Sequence, residues 1–177
     1  MGLSRRGLFG GGLKVGGCGV LSWVLGRFCR TGGAETEDGG QRFIMHPIGR
    51  VQREAEAVQL RIFKPYRDAL LGVDTFSHIL VFYWFDRNDT PQKRRILRVH
   101  PRGNRKNPLT GVFACRAPVR PNLIALTRCK VLRVADGIVH IDKIDALDGS
   151  PILDIKPYIP GLDGTPKDIR TPKWLGR

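Results

Sequence analysis

The 177-residue sequence lacks most of the patterns that announce a chemistry. Its four cysteines, at 18, 29, 115 and 129, form no C-x-x-C pair. Its four histidines, at 46, 78, 100 and 140, are never four apart. The ligand spacings of a zinc site are therefore missing, and no metal is expected. No G-x-G-x-x-G follows a strand-like run and opens a helix, which excludes a Rossmann dinucleotide unit. The apolar stretch from Gly10 to Gly26 is broken by Lys14 and crowded with Gly, so stable membrane insertion is not expected. Acidic residues are scarce. Thirty Lys and Arg face sixteen Asp and Glu, a formal net charge of +14. No basic run exceeds three residues, so this charge is spread over a folded surface rather than carried by a tail.

Such a balance favours a polyanionic partner, nucleic acid ahead of acidic lipid, against the plainer reading of a merely basic protein. Hydrophobic content of 41% is enough for a core, and the length suits one domain with tails. Residues 1–42 form a leader of different composition. Ser4-Arg5-Arg6-Gly7-Leu8-Phe9 before a mildly apolar stretch looks like a twin-arginine export signal, with a small-residue cleavage site at Gly32-Gly33-Ala34. A lipoprotein reading at Cys18 is weaker, because apolar residues continue past it. A third reading is an over-extended frame, since Met45 falls where ordered sequence begins.

From residue 43 onward the pattern is mainly β. Strands are expected over 43–51, where Pro47 and Gly49 mark turns or a bulge, and over 57–63, where V-Q-L-R-I-F alternates. A short helix is expected over 66–73, stopped by Gly72. The run F-S-H-I-L-V-F-Y-W-F (76–85) reads as a strand buried on both faces, ending at Asp86-Arg87-Asn88-Asp89, the rim of a pocket or a solvated turn. Val99-His100 closes a short strand, and further strands fall over 110–115, 124–134 and 138–144, with a hairpin at Asp136-Gly137. Many short strands and one weak helix imply a mainly β single-domain barrel or sandwich over 43–163. A basic, Pro-rich tail, 164–177, is mobile or docks through Trp174. Cys115 and Cys129 sit in apolar runs and read as small core residues. Lys93, Arg94, Arg95 and Arg98 form the densest positive patch. Arg102, Arg105 and Lys106 follow in a Gly- and Asn-rich loop suited to backbone phosphates. His100 is either a general base or, more in keeping with a lone His before Pro, structural.

Two blocks stand out: G-V-F-A-C-R-A-P-V-R-P-N (111–122) and D-A-L-D-G-S-P-I-L-D-I-K-P-Y (145–158). Each joins a strand-like run to a turn dense in charge, Pro and Gly, which reads as a displayed site or as a polar surface turn. Both resemble the signatures of the TrmO/YaeB (TsaA-like) family, G-V-F-A-T-R-S-P-x-R-P-N-P-I-G and D-x-x-D-G-T-P-x-L-D-I-K-P-Y. F-S-H-I-L-V-F-Y-W-F and V-H-P-R-G are similar to further family segments. The resemblance covers about 44–163 and implies a β-barrel, S-adenosyl-L-methionine as cofactor and a homodimer with the cofactor at its interface. It also implies methyl transfer to the exocyclic nitrogen of threonylcarbamoyl-adenosine beside the tRNA anticodon, in the cytoplasm. Carried over by motif, cofactor contacts fall on Asp86, Arg87, Arg116, Leu126, Asp148, Gly149, Ser150 and Pro151. Arg120 and Asn122 join Arg94, Arg95, Arg102, Arg105 and Lys106 as RNA candidates. Asp154, Lys156 and Tyr158 are the catalytic or supporting candidates, Asp154 or Tyr158 taking the nitrogen's proton. Asp154 and Lys156 read equally as a structural ion pair. The sequence departs from the family at Ala117, Leu123, Ala125 and Ser150. These changes leave open a barrel that binds adenosylmethionine or RNA without turnover, or an exported relative with another substrate.

Overall fold

The fold was determined as a computed structural model that describes residues 42–54, 57–164 and 169–175. The expected leader signals lie outside the described residues. One compact unit begins at Phe43 and runs to the C-terminus.

Eight strands are present among the described residues: β1 (Gly49–Glu54), β2 (Ala57–Ile62), β3 (His78–Trp84), β4 (Arg98–Val99), β5 (Thr110–Gly111), β6 (Ile124–Ala135), β7 (Ile138–Ile141) and β8 (Pro151–Pro157). Six close into a barrel in the order β1-β2-β7-β6-β3-β8, while β4 and β5 pair separately. Closure leaves no free barrel edge, which removes the aggregation hazard of an open sheet. The barrel is thus chosen over the sandwich.

Strand alternation builds the interior. Leu60, Ile62, Ile79, Val81, Val139, Ile141 and Ile152 are buried and belong to one core cluster. The Asp136-Gly137 hairpin forms as its sequence suggests: Ala135 pairs with Ile138, and both turn residues take positive φ, 54° and 79°.

Three expectations are revised. β3 alternates between buried and half-buried residues, so only Ile79, Val81 and Tyr83 face the core. The outward residues of its apolar run, Leu80, Phe82 and Trp84, are half-buried rather than buried on a second face. The short helix is a 3-10 segment over Lys64–Leu70, displaced toward the N-terminus because Pro65 can start such a turn. The run 110–115 is strand only at Thr110–Gly111, since β4 offers two residues to pair with. It then turns through a 3-10 segment, Val112–Ala114, with Val112 buried.

Candidate functional site

β3 ends where β6 begins, with Tyr83 opposite Ala125 and Trp84 opposite Ile124. The Phe85 amide donates to the Leu123 carbonyl at 2.8 Å, so the two strand ends stay together as the chain splays into loops. Around that junction lies a cavity of about 630 Å³. Its polar lining includes Asp86, Arg87, Asn88, Arg116, Arg120, Asp145 and Ser150, and its apolar lining includes Phe85, Phe113, Ile124, Leu126 and Leu147. The volume suits a small molecule the size of a nucleoside cofactor.

Two local devices shape this cavity. Asp86 opens a one-turn 3-10 segment, Asp86–Asn88, and the buried Ser150 hydroxyl donates to its Oδ1 at 3.3 Å. Ser150 in turn ends a tight turn in which its amide donates to the Leu147 carbonyl at 3.2 Å and Gly149 has φ +78°. That third-position φ is the conformation a type II turn asks of Gly. The turn is tied to β1: Asp148 Oδ1 accepts from the Arg53 amide at 2.9 Å, and the Gly149 carbonyl accepts from Arg50 at 2.8 Å. The Arg53 side chain also donates to the carbonyls of Ala146 and Ile144. Arg53 therefore fixes the wall that carries Asp145 and Leu147. No motif marked it, because its role is to satisfy backbone carbonyls.

Of the residues expected at the cofactor, Asp86, Arg87, Arg116, Leu126 and Ser150 line the cavity. Asp148, Gly149 and Pro151 stand behind it, forming the turn and the start of β8. Arg120, expected on RNA, lines the cavity instead, while Asn122 is exposed and its carbonyl accepts from the Ile124 amide at 2.8 Å. The proposed catalytic set lies elsewhere. Asp154 pairs with Phe82 on β3, and its carboxylate forms a half-exposed ion pair of 2.9 Å with Lys156 two residues along the same strand. Tyr158 lies under the Arg128 guanidinium, 5.2 Å from its ring centroid, and donates to the Asp163 carbonyl at 3.3 Å. None of the three borders the cavity, because β8 runs away from it. Asp145, Cys115 and Phe113, all within the two blocks, are lining residues that reasoning by motif passed over. Cys129, by contrast, is a core thiol, pushed up to about 12 by burial.

Burial is also the main cause that raises the Tyr83 phenol above its ordinary value, with the Asp145 carboxylate adding to it. Tyr83 thus lines the cavity as a neutral hydrogen-bonding group.

The positive patch divides. Arg94, expected on phosphate, is engaged within the chain. Its Nε donates to Asp89 at 2.7 Å, its Nη1 donates to the Pro121 carbonyl at 2.8 Å, and its guanidinium stacks 5.2 Å over Trp84. The Arg94 hydrogen bond holds the Asp89 carboxyl below the usual carboxylate range. Arg94 therefore braces the loop that carries Arg116 and Arg120. Arg94→Ala is expected to lower stability by about 1 kcal/mol, the ion pair itself being half-exposed and worth little. Thermal unfolding should show this as a fall of a few degrees. The salt slope of RNA binding should stay the same, whereas Arg105→Ala or Lys106→Ala should each reduce it by about one. An Arg94→Ala slope that fell equally would return Arg94 to the RNA surface.

Fold and cavity together define a small closed barrel with a part-polar, nucleoside-sized cavity at its rim. The chain belongs to the tRNA-methyltransferase O N-terminal domain family, whose model matches residues 44–164. It is 42% identical over 121 residues to the "Probable S-adenosyl-L-methionine-binding protein" of Methanocaldococcus jannaschii, covering 68% of this chain and 96% of that one. It is 36% identical over 115 residues to the human tRNA (adenine(37)-N6)-methyltransferase, covering 65% of this chain and 25% of the human protein. The crystal structure of TrmO from Pseudomonas aeruginosa superposes with a TM-score of 0.57 at 26% identity, covering 73% of this chain and 62% of that chain. The chain thus spans under two thirds of the solved enzyme and a quarter of the human one.

Proposed function

We propose that this chain binds S-adenosyl-L-methionine in the rim cavity and methylates N6 of an adenosine next to the anticodon of tRNA. Within a family of tRNA methyltransferases, the observation that carries the reading is the cavity's division of charge. Carboxylates (Asp86, Asp145) and guanidiniums (Arg87, Arg116, Arg120) share one pocket with apolar side chains. Such a set fits a ligand that is both zwitterionic and nucleoside-like. Asp86 or Asp145 can receive an ammonium or ribose hydroxyls, Arg116 or Arg120 can fork onto a carboxylate, and Phe85, Ile124 and Leu126 can cover an adenine.

The bound sulfonium supplies an activated methyl group. Transfer forms the N–C bond as the S–C bond breaks, its electron pair returning to sulfur, and one proton leaves the nitrogen. In-line placement dominates such a step, so the chain's contribution is orientation. Asp145 borders both this cavity and the one beside it, and takes the released proton directly or through water.

The finer substrate, threonylcarbamoyl-adenosine, rests on the two signature blocks. Of their departures, Leu123 is fully buried and Ala125 nearly so. These two changes therefore act through packing at the junction rather than through charge. A homodimer is supported by the exposed apolar side chains at the cavity, Leu126 and Leu147, 37% and 54% exposed. Cytoplasmic location follows from where tRNA and the cofactor are found; a mature chain starting at Glu35 outside the cytoplasm would overturn it.

The deciding assay incubates the full chain with methyl-labelled adenosylmethionine and tRNA from cells that lack this methylation. Label mapped to one N6-methylated adenosine nucleoside is the expected result. Cofactor binding by calorimetry without label in any RNA would leave the binding-module reading, which the archaeal relative's name also favours.

A further inference from the structure

Beside the rim cavity lies a second, larger one of about 1040 Å³. The two share a wall: Phe113, Cys115, Arg116, Pro118 and Asp145 border both. The far side of the second cavity comes from His100 and Arg102 and from the C-terminal segment, through Trp174 in the 3-10 turn Lys173–Leu175. Residue 174 lies ten positions beyond the end of the family match at 164, so the Trp174 part of this wall comes from outside the matched domain, while His100 and Arg102 lie within it.

Each bordering group suits a purine attached to a phosphate backbone. Trp174 is half-buried, which leaves part of its ring available, and Phe113 exposes most of its ring on the shared wall. Two aromatic faces beside a cavity are a stacking platform for a base. His100 Nδ1 lies 2.8 Å from the Asn107 carbonyl, an acceptor only, so Nδ1 carries the proton. In the neutral ring Nε2 is then a hydrogen-bond acceptor, the complement of an exocyclic N–H. The same contact, with Asn107 Nδ2 donating to the Pro101 carbonyl at 2.9 Å, closes the loop that carries Arg102, Arg105 and Lys106. Arg102 is held in the left-handed region, φ 59°, which a non-Gly residue adopts only when its surroundings impose it. Cations on this loop are placed to meet phosphates flanking a base in the cavity.

We propose that the second cavity receives the acceptor nucleobase of the RNA, and that Trp174 of the C-terminal segment is the surface on which the base stacks. This rests on the methyltransferase reading above and adds a specificity-determining residue to it. The base enters on one side of the shared wall, the cofactor lies on the other, and Asp145 stands between them.

The test uses the full chain and an anticodon stem-loop RNA. Trp174→Ala is expected to lower kcat/KM for the RNA at least about tenfold, with cofactor affinity unchanged. Trp174→Phe should restore most of it, which a loss of folding would not allow. In a separate arm, a variant with Trp23 and Trp84 replaced by Phe leaves Trp174 as sole tryptophan, and the RNA should quench its fluorescence. Methylation that is insensitive to Trp174→Ala would overturn the stacking role while leaving the methyltransferase reading intact. If the wild type methylates no RNA, that reading fails on its own. Quenching would then still support the base site, and its absence would remove it.

Discussion

Asp86→Asn is expected to raise the dissociation constant for adenosylmethionine by roughly 10- to 100-fold, with the thermal midpoint almost unchanged. The carboxylate is half-buried at the cavity rim, accepts from Ser150 at 3.3 Å, and lies 3.7 Å from the exposed Arg87 guanidinium. Its amide isostere keeps the shape and one acceptor oxygen but loses the charge. A hydrogen bond to a charged partner is worth about 1.5–3 kcal/mol, which sets the expected range. Calorimetry of cofactor binding reads the effect directly. Asp145→Asn is the matched comparison: binding should be retained while the single-turnover rate falls at least about 100-fold, as for loss of a proton acceptor. If Asp86→Asn binds normally, the ammonium and ribose contacts lie with Asp145 and the two roles must be exchanged. If Asp145→Asn transfers at the wild-type rate, bulk water takes the proton.

The sequence made the barrel legible because its signals are local. Alternation over β2, the Asp136-Gly137 turn and the apolar run of β3 each specify strand or hairpin within ten residues. Part of the site was legible for the same reason: Asp86 follows the end of β3 and Ser150 precedes β8, while Arg116 sits in the turn-rich first block, and all three line the cavity. What escaped depends on distance in sequence. Asp154 and Lys156 share a motif with Ser150, yet β8 is extended and carries them up the outside of the barrel. At about 3.3 Å per residue, four residues move a side chain beyond contact with the turn. Arg53 and Asp148 meet across 95 positions, and nothing in either neighbourhood marks the pairing. Arg94 shows the limit of reading charge. In the sequence it is indistinguishable from Arg95, but one guanidinium holds a carboxylate, a carbonyl and an indole, and the other is exposed.

Gly49→Ala is expected to destabilise the barrel by about 1–3 kcal/mol, the usual cost of forcing an extra carbon into a filled space. Gly49 was expected at a turn or bulge. It sits instead in regular register at the seam of the barrel, opposite Ile62 on β2 and Ile152 on β8. The reason for glycine is close approach rather than backbone freedom. A Cβ there would overlap the Arg61 carbonyl oxygen and stand 3.1 Å from the Ile62 side chain. The oxygen is backbone inside a ladder, so it cannot move aside without breaking pairing on β2. Because β1 is the strand that joins β2 to β8, the strain falls on closure. It also falls on the turn that β1 anchors through Arg50 and Arg53. Two readouts should therefore move together: the thermal midpoint should fall by several degrees, and cofactor affinity should weaken though Gly49 touches no ligand. A conservative change at a core position remote from the seam, Val139→Ala, should lower stability with affinity preserved. A loss of stability in Gly49→Ala without any loss of affinity would mean that the Leu147–Ser150 turn keeps its place without help from β1.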